Sequence, residues 1–174
     1  MQLATAADEQ RRDVLESALP CGHQMNARDF VGWYNAEPTF NNLDLPSVSD
    51  ELRSVIIGHG NVALDCARLL AAPPSHLDKT DIHEDAFEAL QRLPSKRLIH
   101  VVGRRGATQA AFTTKEVREL TELDNAALVI DDDELKAGDT DASLKEGKAR
   151  PLARKRKFLD QVAASDVTAL ALTG

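Results

Sequence analysis

The sequence predicts an α/β fold, in which helical crossovers connect the strands of a parallel sheet. Two short apolar runs rich in β-branched residues, RSVIIG (53–58) and RLIHVVG (97–103), predict buried strands. A third run of the same kind, AALVID (126–131), predicts another strand. Helical patterns separate the three runs, and this alternation is typical of parallel sheets.

The helices are predicted from apolar residues at helical spacing and from the prolines that end them. NVALDCARLLAA (61–72) stops before a pair of prolines. TDIHEDAFEALQRL (80–93) is predicted as a second helix, with Asp81 and Glu84 at capping-box spacing. The other predicted elements are a short strand at 2–7, a short helix or extended segment at 27–35, a linker at 36–52, a helix at 114–123 and a basic helix start from 150.

Composition and charge restrict the classes of function. A chain of 174 residues, 43% of them hydrophobic, is long enough for one domain with its own core. The net charge of −7 argues against general binding to nucleic acid or to an anionic membrane. No apolar run approaches the ~18 residues of a membrane span, and the N-terminus shows no targeting pattern. Cys21 and Cys66 are interpreted as structural thiols, and the histidines lack the spacing of metal ligands, so no metal site is predicted.

The turn after the first buried strand has the spacing of a dinucleotide-binding motif. Gly58, Gly60 and Ala63 fit G-x-G-x-x-G/A. The first glycine permits a tight turn, the second lets the backbone approach a pyrophosphate, and the small third residue lets helix and strand pack closely. N–H groups at the helix start, at Asn61, would face the phosphates. The motif favours a Rossmann-like nucleotide site, and a strand-to-helix turn without a ligand is the alternative.

An arginine pair follows the second buried strand, where an NAD-binding protein usually has an acidic residue. Arg104 and Arg105 carry planar guanidinium groups that match a phosphate. The pair therefore predicts a preference for NADP(H), with its 2′-phosphate, over NAD(H). Arg104 lies beyond the usual distance of about 20 residues from the turn, and the helix at 80–93 accounts for the extra length. Two solvated surface arginines are the alternative.

Several stretches occur together in one order, namely ARDFVGWYN, VIIGHGNVALDCARLL, VVGRRGATQAAFTTKEVREL and the late RP…RKRK. Together they closely resemble the adrenodoxin reductase family, the FAD-containing NADPH:ferredoxin oxidoreductases of mitochondria and some bacteria. In that family an NADP-binding domain is inserted into an FAD-binding domain. The resemblance implies that 1–35 is a remnant of the FAD-domain segment with the interdomain hinge, and that 36–174 is the NADP(H)-binding domain. The flavin-binding segments are expected outside both ends, so the chain is interpreted as a fragment.

The resemblance also assigns the nucleotide-binding residues. It implies that NADP(H) is bound by Gly58, His59, Gly60, Asn61, Arg104, Arg105 and Glu116. Glu116 matches a family glutamate that hydrogen-bonds the ribose region, and an ordinary glutamate on a helix surface is the alternative. His59 stands where the family usually has glutamine. Ala6 and Ala36 replace family glycines, and these changes weaken the expected flavin-side surface.

The basic stretch ARPLARKRKFLD (149–160) is the candidate partner surface. In the family this region meets the acidic face of a [2Fe-2S] ferredoxin or adrenodoxin, and the matching positions are Arg150 and Arg156. A basic patch steers an acidic partner through its charge. A solvated basic helix end and a nucleic-acid patch are the alternatives.

These observations predict the NADP(H)-binding part of an NADPH:adrenodoxin reductase. In the family, hydride passes from NADPH to FAD, and single electrons then pass to an iron–sulfur ferredoxin. The chain is expected to bind NADP(H), to lack retained FAD and to contain no catalytic residue of its own. The resemblance suggests a mitochondrial location, and a cytoplasmic one is the alternative. A non-catalytic NADP-binding regulatory module and an inactive truncated gene product are the other hypotheses.

Overall fold

A computed structural model describes residues 2–4, 23–41, 43–104, 106–138, 145 and 150–164. Its core is a four-stranded parallel sheet with strand order β2-β1-β3-β4. The strands are β1 (Gln2–Ala4), β2 (Gln24–Asn26), β3 (Leu52–Ile57) and β4 (Arg97–Val102). The helices are α1 (Ala27–Tyr34), α2 (Asn61–Ala71), α3 (Pro74–Leu77), α4 (Glu84–Gln91), α5 (Thr114–Thr121), α6 (Asp132–Ala137) and α7 (Arg150–Ala164), with 3-10 turns at Pro38–Phe40 and Ala107–Gln109. The predicted α/β class with a parallel sheet is confirmed.

The sheet contains a topological switch point between β1 and β3. Ala4 and Val102 both pair with Ile57, so the carboxyl ends of three strands lie at one edge. The two central strands are β1 and β3. β2 lies beside β1 at one edge of the sheet, and β4 lies beside β3 at the other edge. Ligands of open parallel sheets bind outside the carboxyl ends of the strands at such a point.

The core lies between β3 and the helices on one face of the sheet. Alternate residues of β3, including Leu52 and Ile56, are buried, as the period of a strand requires. Helix α2 buries Ala63, Ala67 and Leu70, which repeat at helical spacing. Tyr34 of α1 donates a hydrogen bond of 2.5 Å to Asp65, which joins α1 to α2. The N-terminal half of α2, which begins shortly after β3, is therefore held by α1.

The crossover to β4 is less regular than the predicted helix at 80–93. The structure has α3 and α4 there, and His83 is the N-cap of α4 without a side-chain hydrogen bond. The predicted Asp81–Glu84 capping box is wrong. The backbone N–H of His83 donates to the carbonyl of Tyr34 at 3.2 Å, so a contact with α1 accompanies the start of α4.

The predicted strand at 126–131 is also wrong, because the structure has no strand at those residues. Burial does alternate along it, since Ala126, Leu128 and Ile130 pack partly against the core while Val129 is 72% exposed. Any extended segment with one apolar side shows such alternation, but a strand also needs backbone hydrogen bonds to a neighbouring strand. Instead, the Asn125 side chain donates to the carbonyl of Ala71, at the end of α2.

Cys66 is a buried free thiol on α2. Burial, with a smaller contribution from Asp65, raises the pKa of this thiol to about 12. A thiol that stays protonated is a poor nucleophile, and this supports the structural role predicted for Cys66. Cys21 lies outside the described residues.

Candidate nucleotide-binding site

The two glycines of the turn have different roles in the fold. Gly58 has φ of 134°, a conformation that side chains rarely adopt, and its N–H donates to the carbonyl of Val102 at 2.7 Å. Gly60 is the N-cap of α2, with φ of −110° and ψ of 173°, which any residue adopts. A Cβ atom at Gly60 would meet nothing within 4 Å. The fold thus requires glycine at 58, whereas at 60 glycine leaves open space.

The start of α2 faces that open space with backbone N–H donors that have no acceptor among the described residues. The N–H groups of Ala63 and Leu64 bond back to the carbonyl of Gly60, at 3.1 and 3.2 Å. Those of Asn61 and Val62 have no intrahelical carbonyl, as in any α-helix. Gly60 makes no side-chain cap, so this N-terminus has the donors and the positive dipole end that an anion requires.

The His59 ring points back toward β4. A Cβ atom at Gly103 would lie 2.2 Å from atoms of this ring, so glycine at 103 makes room for it. The ring nitrogen Nε2 lies 3.3 Å from the carbonyl of Val101, and Phe112 meets the ring edge-on. Nδ1 is buried without a hydrogen-bond partner among the described residues. The predicted contact between His59 and a phosphate stays a prediction.

Arg104 lies at the same edge of the sheet as the glycine turn. It follows Val102, the residue whose carbonyl accepts from Gly58, by two positions, and it is exposed. An exposed guanidinium beside the turn fits the proposed recognition of a phosphate. Arg105 lies outside the described residues.

Asn61 and Glu116 are brought together by Thr113, the N-cap of α5. The Asn61 Oδ1 atom accepts from the Thr113 N–H at 3.0 Å. The Thr113 hydroxyl accepts from the Lys115 N–H and donates to the Glu116 carboxylate, as in a capping box. That hydroxyl is the main cause of a lowered pKa at Glu116. Sequence reasoning missed this cap, although the spacing T-x-x-E was there to read.

The basic stretch forms the first turns of α7, and its side chains differ in burial. Arg156 is half-buried and donates to Asp160 at 2.8 Å. Arg154 and Lys157 are exposed. The side chain of Arg150 lies outside what the structure describes. The predicted partner contacts of Arg150 and Arg156 stay predictions.

Lys155 differs from the exposed cations of the basic stretch in a way that sequence reasoning missed. It is buried, and its ammonium donates to the carbonyl of Ala110 at 2.6 Å and lies 5.0 Å from the ring centroid of Phe112. Its burial could have been predicted from its position, because Leu152, Lys155 and Leu159 have the spacing of one helix face.

Within the ranges that the structure describes, no three His, Cys, Asp or Glu side chains form a group that could hold a metal ion. None of the described helices is both long and apolar enough to cross a membrane.

The chain is similar to known NADPH-dependent reductases over part of its length. It is 51% identical over 109 residues to the NADPH-ferredoxin reductase FprA of Mycobacterium tuberculosis, covering 63% of this chain and 23% of that protein. It is 46% identical over 126 residues to the mitochondrial NADPH:adrenodoxin oxidoreductase of Bos taurus, covering 72% of this chain and 25% of that protein. No protein-family model matches the chain.

A solved structure shows the same relationship. M. tuberculosis FprA in complex with NADPH matches with a TM-score of 0.67 and 46% identity, over 79% of this chain and 29% of that one. The chain thus spans about a quarter of the length of the curated relatives it matches. At this identity the similarity is homology, and the predicted resemblance is confirmed.

Proposed function

We propose that this chain, which is homologous to part of the NADPH-ferredoxin and NADPH:adrenodoxin oxidoreductases, is the NADP(H)-binding part of such a reductase. The open helix start at Gly60 is the observation that carries the proposal. It combines free N–H donors, space where a Cβ would be and a place at the switch point of the sheet. These are the features that a pyrophosphate requires.

The chain's own residues act by binding and orienting the nucleotide. NADPH, when bound, would supply a hydride to FAD in the whole reductase, and the two electrons of that hydride would then pass one at a time to an iron–sulfur ferredoxin. The turn from Gly58 to Asn61 would hold the pyrophosphate, with His59 setting the turn through its packing on Gly103. Arg104 and Arg105 would hold the 2′-phosphate, because guanidinium groups match its geometry and stay charged. Glu116, beside Asn61 through Thr113, would accept from ribose hydroxyls.

The remaining assignments extend from the homologous proteins to this chain. Residues 1–35 would belong to the flavin side and 36–174 to the NADP(H) side, and the isolated chain would not retain FAD. An acidic ferredoxin would dock on α7, where Arg154 and Lys157 are exposed and Arg150 and Arg156 match the family positions. The proposed location is mitochondrial, as for the bovine relative, and a bacterial host would place the protein in the cytoplasm.

The proposal is tested by titrating the full chain with NADP⁺ and with NAD⁺ in a calorimeter at low salt. We expect at least about tenfold tighter binding of NADP⁺. Arg104→Ala should lose about 2 kcal/mol of NADP⁺ binding, roughly thirtyfold, because it removes charge-assisted hydrogen bonds. It should leave NAD⁺ binding nearly unchanged.

The matched control is Arg92→Ala, which removes an exposed arginine that pairs with Glu88 on α4. This variant should bind NADP⁺ like the unaltered chain. Equal binding of the two nucleotides, or none, would overturn the proposed function.

A further inference from the structure

Lys155 is unusual among the described residues because it is their only buried charged side chain, 9% exposed. Removing an ammonium from water is costly unless it is paired or hydrogen-bonded. No described carboxylate forms an ion pair with Lys155. It donates instead to the Ala110 carbonyl at 2.6 Å and lies over the Phe112 ring. The burial lowers the pKa of the ammonium.

The segment that Lys155 holds is the one that supports the glycine turn. The N–H groups of Ala111 and Phe112 both donate to the carbonyl of His59, at 2.8 and 3.2 Å. The rings of Phe112 and His59 meet edge-on, with centroids 6.1 Å apart. The next residue, Thr113, donates its N–H to Asn61. Residues 110–113, here called the support segment, thus contact both the middle of the turn and the first residue of α2.

These contacts form a continuous chain from α7 to the nucleotide turn. One end is the Lys155 ammonium, and the other is the pair of donors on the His59 carbonyl. His59 lies between the two glycines, so its backbone orientation sets the direction of the Gly60 N-cap. Lys155 itself reaches only the support segment and acts through it.

We propose that Lys155 is a positioning residue for the nucleotide site, which fixes the support segment so that the turn from Gly58 to Asn61 keeps its phosphate-binding shape. This inference rests on the proposed function of that turn. Without the ammonium, the Ala110 carbonyl loses its donor and the Phe112 ring loses a cation, so the two bonds to His59 lose their fixed support. A lysine that only attached α7 to the domain would affect stability and leave the turn unchanged.

The test compares Lys155→Met with Lys79→Met in the full chain. Methionine keeps the apolar length of the side chain and removes the ammonium, and Lys79 is an exposed lysine that follows α3, outside the turn and the basic stretch. NADP⁺ affinity is measured at a temperature where every variant is folded by circular dichroism. We expect Lys155→Met to weaken NADP⁺ binding by about tenfold and to shift the ¹H–¹⁵N signals of Gly58 and Gly60. Lys79→Met should do neither.

Unchanged affinity and unchanged glycine signals in folded Lys155→Met would overturn the inference. If that variant does not fold, Phe112→Leu decides in its place, because it removes the ring between Lys155 and His59 and keeps an apolar side chain. Phe112→Leu should shift the same glycine signals and weaken NADP⁺ binding. If the unaltered chain binds no NADP⁺, the proposed function fails, and the glycine signals still decide whether Lys155 sets the shape of the turn.

Discussion

Two helix starts lie next to each other in this protein, and the fold treats them in opposite ways. At the start of α5, the Thr113 side chain accepts from the Lys115 N–H and the Glu116 carboxylate completes the cap. At the start of α2, Gly60 supplies no side-chain cap. Asn61 joins the two, because its side chain accepts from the Thr113 N–H. The first backbone N–H groups of α2 have no acceptor among the described residues. Under the proposed function, α5 is capped for stability and α2 is left open for the nucleotide.

A methyl group placed at the open start of α2 should weaken NADP⁺ binding strongly and affect folding little. Gly60→Ala should fold normally, with a loss of about 0.5–1 kcal/mol from the weaker N-cap, because its Cβ meets no protein atom. It should nevertheless weaken NADP⁺ binding by at least about tenfold, since the methyl group occupies the phosphate position. Melting temperature and calorimetric titration measure the two effects separately.

Gly58→Ala is the matched control for this substitution. It adds the same methyl group where φ is 134°, so it should lower the free energy of unfolding by roughly 1–3 kcal/mol. A Gly60→Ala variant that binds NADP⁺ like the unaltered chain would show that no phosphate approaches the start of α2.

A negative charge added at the same helix start should raise the stability of the free chain and weaken NADP⁺ binding. Asn61→Asp keeps an oxygen for the Thr113 N–H and adds a negative charge near the positive end of the α2 dipole. It should stabilise the free chain by about 0.3–1 kcal/mol. It should weaken NADP⁺ binding several-fold through repulsion of the phosphates, and this loss should shrink as salt is added.

Asn41→Asp adds the same charge in the 36–52 linker, outside the turn, and should change neither quantity. Equal salt dependence of NADP⁺ binding in Asn61→Asp and the unaltered chain would contradict the anion site.

The sequence predicted the order of strands and helices around this site because apolar periodicity and proline stops are local signals. It assigned the tight turn to Gly58 and the close backbone approach to Gly60, but the backbone angle at 58 and the open space at 60 are visible only in the structure. The prediction of a strand at 126–131 was wrong because strand pairing depends on a neighbouring strand, which the local pattern does not show. Ala36 stands where the resembling family has glycine, but its φ of 59° is visible only in the structure.

The Glu116 carboxylate should give the capped start of α5 a small, pH-dependent contribution to stability. The native pKa of Glu116 lies below the ordinary 4.5, chiefly because the Thr113 hydroxyl bonds the carboxylate. The ionised form therefore stabilises the native state above pH 4.5, and this contribution is lost as pH falls through the lower native value. Glu116→Gln keeps a capping side chain and removes the charge, so at pH 7 it should lower the free energy of unfolding by roughly 0.5 kcal/mol. The difference from the unaltered chain should disappear in acid.

Glu122→Gln, at the other end of α5, should be neutral or slightly stabilising. Urea unfolding between pH 3 and pH 7 measures both variants, and a deficit in Glu116→Gln that persists in acid would mean that the carboxylate contributes shape and no charge to the cap.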